Sequence, residues 1–202
     1  KIRFSEQIDG LGSYLINNVS NQYGPKKLAD VLKFKSEVTL ENYLGYLTEA
    51  YLIFSLKRHS TKAGMRLRSP KKTYVVDNGF VTAKAVQHSP NSGKLMENLV
   101  FMELVKRGNQ PNRELFYHKT RNDREIDFVL KKGHEVVELM QVSYDSTSQD
   151  VEEREVKALI EAGEELDVTK LTVLTWNEKR EVKKDGKTIQ FIPLWEWLTA
   201  VV

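Results

Sequence analysis

The spacing of apolar residues divides the chain into a helical first part, a polar hairpin and a strand-rich second part. From Ser20 the order reads turn, helix, turn, helix. Gly24-Pro25 puts a proline at a helix start, where its missing N–H is not needed; Leu28, Val31 and Leu32 form an apolar stripe, and Phe34-Lys35-Ser36 closes the segment. Ser36 suits the N-cap of the next helix, whose Val38, Leu40, Leu44, Leu47 and Tyr51 recur at roughly helical spacing and are expected to face a core. Ile53-Phe54-Ser55-Leu56 and Thr73-Tyr74-Val75-Val76 then read as two strands around a loop over residues 57–72, which holds Ala63-Gly64 and Ser69-Pro70. Two helices at a short turn followed by a β-hairpin is a winged-helix pattern.

After Asp77-Asn78-Gly79-Phe80 and the polar Ser89-Pro90-Asn91-Ser92-Gly93, residues 94–107 predict a helix stopped by Gly108. Glu97 lies in line with Val100, Phe101 and Leu104, so a carboxylate stands on an apolar stripe, which is unfavourable unless the charge is partnered. Glu103 falls on the solvent side. Three strands follow: residues 115–119, residues 125–130 after the polar turn Arg121-Asn122-Asp123-Arg124, and residues 136–144 after Gly133. Alternation puts Ile126, Phe128 and Leu130 on one side and Glu125, Asp127 and Val129 on the other. In the third strand Leu139, Gln141 and Ser143 share a side, and Glu138 lies opposite. A helix from about Ser148 to Ala162, a strand over 171–176, a hairpin turning at Asp185-Gly186 and a short helix over 193–198 complete the pattern.

Composition narrows the classes. The 202 residues contain no cysteine, which removes disulfide scaffolds, thiolate nucleophiles and cysteine-ligated metals, and fits a cytoplasmic protein. No apolar run reaches the ~18–20 residues of a membrane helix, so no membrane partner is expected. A start at Lys1 without Met points to a piece of a longer protein. The net charge of +3 hides an asymmetry: residues 1–56 are neutral, residues 57–86 carry +7 and residues 87–202 carry −4. Lys57, Arg58, Lys62, Arg66, Arg68, Lys71 and Lys72 form one basic block, the footprint expected for contact with phosphates, although a solvated basic turn has the same composition. The helix that would read bases in a DNA-binding winged helix carries Glu37, Glu41 and Glu49 and no Lys or Arg, so base readout by it is disfavoured. The four histidines, His59, His88, His118 and His134, lack ligand spacing, and Trp176, Trp195 and Trp197 are expected to pack the end of the sheet.

Gly93-Lys94-Leu95-Met96-Glu97-Asn98-Leu99-Val100-Phe101-Met102-Glu103-Leu104, Arg124-Glu125-Ile126-Asp127-Phe128-Val129 and Glu138-Leu139-Met140-Gln141-Val142-Ser143-Tyr144 resemble the C-terminal region of a family of prokaryotic AAA-type ATPases. Tyr46-Leu47-Thr48-Glu49-Ala50-Tyr51-Leu52 and Tyr74-Val75-Val76-Asp77-Asn78-Gly79 extend the resemblance. In that family a nucleotide-binding module precedes a winged helix and a domain similar to the PD-(D/E)XK nucleases. The resemblance implies an α+β (α/β) chain: a winged helix over residues 1–80, then a restriction-endonuclease-like domain over residues 81–202 with a central mixed sheet flanked by helices. No G-x-x-x-x-G-K-[ST] phosphate loop is present, so ATP and the ATPase module are implied only for sequence before Lys1.

Carried over onto this chain, the family's helix Glu is Glu97, the metal Asp is Asp127, the second-strand Glu position holds Gln141 and the Lys position holds Ser143. Two of four charged groups are missing. A Mg²⁺ site on Asp127 and Glu97 would lack the third carboxylate and the ammonium that stabilises charge developing on phosphate. Transfer of the basic role to Lys119 or Arg124 is the remaining route to activity. The expectation is therefore a non-catalytic module with no cofactor of its own, partnered by the ATPase module of the same full-length chain and by duplex DNA, with Asp127, Glu97, Gln141 and Arg124 forming a polar cluster. A Mg²⁺-dependent nuclease and a protein–protein adaptor are the two alternatives.

Overall fold

A computed structural model describes residues 5–84, 92–145 and 149–200 of the chain. His88, Ser89 to Asn91 and Ser148 lie outside the described residues. Two compact units emerge, one of Lys1–Lys57 with Ala63–Met102, the other of Arg58–Lys62 with Glu103–Val202. This division differs from a boundary at residue 80 because residues 78–84 and 92–102 group with the first unit.

The first unit contains α1 (Ser5–Asn17), β1 (Gln22–Tyr23), α2 (Pro25–Val31), α3 (Glu37–Glu49), β2 (Ile53–Leu56), α4 (Ala63–Arg68), β3 (Lys71–Val75), α5 (Asn78–Lys84) and the first part of α6 (Ser92–Lys106). Its sheet has the order β1-β3-β2, antiparallel throughout. The Ser36 hydroxyl accepts the Thr39 N–H at 3.2 Å and caps α3, as its place in the sequence led one to expect. Leu40, Tyr43, Leu44 and Leu47 form the buried stripe of α3. Val38 and Tyr51 do not join it: both are exposed, and Tyr51 has passed the helix end at φ 56°. Leu11 and Leu15 of α1, Leu28, Leu40, Ile53 and Val75 make the core. Helix α1 is not evident from the sequence because Gly10 and Gly12 interrupt its pattern. The loop between the hairpin strands is partly helical, as α4.

The second unit holds β4 (Leu115–Lys119), β5 (Glu125–Lys132), β6 (Glu135–Ser143), α7 (Gln149–Glu165), β7 (Leu171–Thr175), β8 (Arg180–Lys184), β9 (Lys187–Pro193) and α8 (Leu194–Thr199). Its six strands run in the order β4-β5-β6-β7-β9-β8. β4, β5 and β6 form an antiparallel meander, β6, β7 and β9 are parallel, and β8 returns antiparallel to β9. The sheet is therefore mixed and the fold α+β. Val156, Leu159 and Ala162 of α7 pack on Ile126, Val129, Leu139, Val173 and Phe191. The outer edge of β4 is covered by residues 58–62: Arg58 bridges Tyr117, and the His59 N–H donates to the Tyr117 carbonyl at 2.6 Å.

One irregularity positions the candidate site. Between Phe116 and His118 of β4 the pairing moves by two residues, whereas on β5 it moves by three, from Val129 to Ile126. The extra residue is a β-bulge at Asp127-Phe128. It turns Ile126 and Val129 to the same core, contrary to simple alternation, which had set them on opposite faces.

Candidate functional site

The bulge ends regular pairing between β5 and β6 at Phe128 opposite Met140. Beyond that point side chains take over from the ladder. The Asp127 N–H donates to Gln141 Oε1 at 2.6 Å, Gln141 Nε2 donates to the Glu125 carbonyl at 2.9 Å, and the Val142 N–H donates to Asp127 Oδ2 at 3.0 Å. Asp127 and Gln141 thus satisfy backbone groups that the strands leave open, which buried or half-buried amides require. Gln141 is 4% exposed and also donates through Nε2 to Glu155 Oε2 on α7.

Glu155 is a member of the site that the motifs do not single out. It is buried, accepts from Arg154 Nη2 at 2.8 Å, and its carboxyl is held above the usual range, first by burial and next by the charge of Asp127. A signal for it exists in the sequence: Glu155 lies in line with Leu159 and Ala162, the same carboxylate-on-apolar-stripe pattern that singled out Glu97. The site is a carboxylate pair joined by a carboxamide. A hard cation needs lone pairs directed at it. Gln141 directs N–H groups at Glu155 and at Glu125, and its oxygen already accepts a backbone donor. Among the described residues no three His, Asp or Glu side chains are grouped to hold a metal ion.

Of the remaining expected site residues, Ser143 is 6% exposed at the end of β6, with Oγ 3.4 Å from the Asp145 carbonyl. Glu138 sits on the other face, bonded to Thr172 Oγ1 at 2.9 Å and Lys170 Nζ at 2.7 Å. Lys119 pairs with Asp123 at 2.9 Å, and Arg124 with Glu161 at 3.2 Å, so the guanidinium beside the cluster belongs to Arg154 instead. Glu97 falls in the first unit. There its Oε1 accepts from Lys72 Nζ at 2.7 Å and from the Tyr74 hydroxyl at 2.8 Å, with Lys94 Nζ 3.7 Å from Oε2. Next to it, Asn98 donates to the Val75 carbonyl at 3.0 Å and accepts the Val75 N–H at 2.9 Å, serving β3 as a neighbouring strand would.

The basic block divides accordingly. Lys72 is fully buried by its pairing with Glu97, so it is withdrawn from any phosphate-binding surface, and Lys71 is paired to Glu41 at 2.9 Å. Arg58 Nη2 donates to the Lys119 carbonyl at 2.7 Å within the second unit. Lys62, Arg66 and Arg68 are exposed. His59 and His118 lie with ring centroids 6.0 Å apart, and burial lowers the His118 pKa. Trp176 and Trp195 are exposed rather than packed; Trp176 meets Tyr144 with ring centroids 5.3 Å apart, while Trp197 lies under the Arg107 guanidinium at 4.2 Å.

Architecture and site together define an α+β protein whose mixed-sheet unit carries an Asp–Gln–Glu cluster at a strand bulge. The chain belongs to the family described as "Domain of unknown function (DUF4143)", which matches residues 92–197. A second profile, "Domain of unknown function (DUF8612)", matches residues 1–91. The chain is similar to an uncharacterized protein of Methanocaldococcus jannaschii, 37% identical over 206 residues that cover 97% of this chain and 45% of that protein. It is also similar to an uncharacterized protein of Haemophilus influenzae, 27% identical over 136 residues that cover 65% of this chain and 32% of that protein. It therefore spans less than half the length of these relatives. Among solved structures it is similar, at TM-score 0.39 and 14% identity, to a chain of the half-complex of Thermococcus gammatolerans McrB AAA+ hexamers with bound McrC, over 95% of this chain and 49% of that one. Among the described residues no helix is long and apolar enough to cross a membrane.

Proposed function

We infer that this chain is a non-catalytic binding module of a larger cytoplasmic ATPase, contacting duplex DNA through the basic segment between β2 and β3. The observation that carries the non-catalytic part is the Gln141 carboxamide, which directs hydrogens at Glu155 where a nuclease would direct lone pairs at Mg²⁺. The order α1-β1-α2-α3-β2-α4-β3, with β2 and β3 paired as a hairpin, supports the winged-helix reading of the first unit, and Asp127 and Gln141 on neighbouring strands support kinship of the second with PD-(D/E)XK nucleases. Support for an ATPase half comes from the motif resemblance and from relatives more than twice as long as the matched region.

Incubation of the chain with supercoiled plasmid and Mg²⁺ or Mn²⁺ tests the first part. No nicking or linearisation is expected; cutting that disappears in Asp127→Ala overturns it. Fluorescence anisotropy with a labelled duplex tests the second. Binding at low salt that weakens as salt rises is expected, with a slope matching about three phosphate contacts for the exposed Lys62, Arg66 and Arg68, and absence of binding at about 50 mM salt favours a protein–protein adaptor.

A further inference from the structure

Helix α4 is unlike every other element of the first unit. None of its residues is buried, and residues 61–68 are exposed without exception. A six-residue helix is about 9 Å long and turns about 100° per residue, so Arg66 and Arg68 project from nearly opposite sides, as do Met65 and Leu67. Leu67 is 74% exposed and Met65 41% exposed, and among the described residues no carboxylate pairs with Arg66 or Arg68. Cationic and apolar groups thus alternate around the helix and are not segregated to two faces. A flat surface, such as a bilayer, meets one face and favours segregation. A groove with two walls meets all of them.

The geometry points to α4, rather than α3, as the element that enters the major groove of duplex DNA. This rests on the DNA-binding reading above and assigns it a groove and a set of contacts. A helix about 10–12 Å across fits the ~12 Å major groove and not the ~6 Å minor groove. Arg66 and Arg68 supply forked donors for guanine O6 and N7 or for the flanking phosphates, and Leu67 and Met65 supply apolar contact for thymine methyl groups. α3 is unsuited to entering a groove, because Glu37, Glu41 and Glu49 lie on it and residues 37–55 include no Lys or Arg.

The test uses the same chain with labelled duplexes of about two helical turns and mixed sequence, in which guanine is replaced by 7-deazaguanine or thymine by uracil, and with netropsin as a minor-groove competitor. Several-fold weaker binding to both substituted duplexes and no displacement by netropsin is expected. Arg66→Lys with Arg68→Lys should keep the salt dependence and lose the 7-deazaguanine effect, and Leu67→Ala should lose the uracil effect. Because Arg66, Leu67 and Arg68 are all exposed, the melting temperature of these variants should match that of the parent. Binding indifferent to both substitutions but displaced by netropsin overturns the major-groove assignment and leaves the DNA-binding reading standing. No duplex binding at low salt, or binding to anionic vesicles instead, overturns both.

Discussion

Replacing Lys72 by Met tests whether Glu97 serves the fold. The Lys72 side chain is wholly buried, the Glu97 side chain is 7% exposed, and the two are 2.7 Å apart. Removing one member of a buried pair strands the other charge and typically costs about 3–5 kcal/mol. Here Glu97 keeps the Tyr74 hydroxyl and the partly exposed Lys94 at 3.7 Å, so the loss should fall at the low end, about 3 kcal/mol. For a chain of this size that corresponds to a fall in Tm of about 6–12 °C. Adding Glu97→Gln removes the stranded charge while preserving an acceptor for Tyr74, so Lys72→Met with Glu97→Gln should regain most of the loss. Urea unfolding followed by far-UV circular dichroism measures all three proteins. A Lys72→Met variant within about 1 kcal/mol of the parent, or a double variant worse than the single, would refute the reasoning.

Three further outcomes are expected. The raised Glu155 carboxyl means that the folded state holds this proton more tightly than the unfolded chain. Its contribution is therefore present below the ordinary carboxylate range and lost as pH rises through the raised value. Thermal melts of Glu155→Gln should gain on the parent between about pH 4 and pH 8, and parallel curves would contradict this. Asn98→Ala leaves both backbone groups of Val75 without their side-chain partner and should lose at least about 2 kcal/mol in chemical denaturation. Gly163→Ala in α7 would set a Cβ 3.0 Å from the Val168 carbonyl oxygen and 3.2 Å from Leu171 Cδ2. Overpacking of about 1–3 kcal/mol should outweigh the better helix propensity of alanine and lower Tm.

The strands of the second unit are legible in the sequence because period-two alternation and the Gly133 and Asp185-Gly186 turns are local signals. At Asp185-Gly186 both residues adopt positive φ, 49° and 70°, as a two-residue hairpin turn requires. Asp127 and Gln141 are also legible as neighbours. The bulge is not, since an inserted residue shows only as pairing between β4 and β5. Lys72 illustrates a different limit. Its position in a basic run suggests solvent, but β3 is the central strand of its sheet, and Glu97 arrives from 25 residues further along to neutralise it. Glu155 is obscured by the abundance of carboxylates along α7, where Glu152 shares its alignment with Leu159.

The strip of residues 58–62 along β4 bears on how the protein can be divided. Its covering of that strand edge comes from chain synthesised more than 40 residues before the first residue of β4. Neither unit is a continuous stretch, and the family boundary at residues 91 and 92 falls within the sequence of the first unit. A truncation beginning at residue 92 would keep every strand of the six-stranded sheet yet bare the backbone of Tyr117, a ready template for pairing with another copy. Such a fragment should self-associate, and a peptide bearing the missing strip, supplied in trans, should reverse that association.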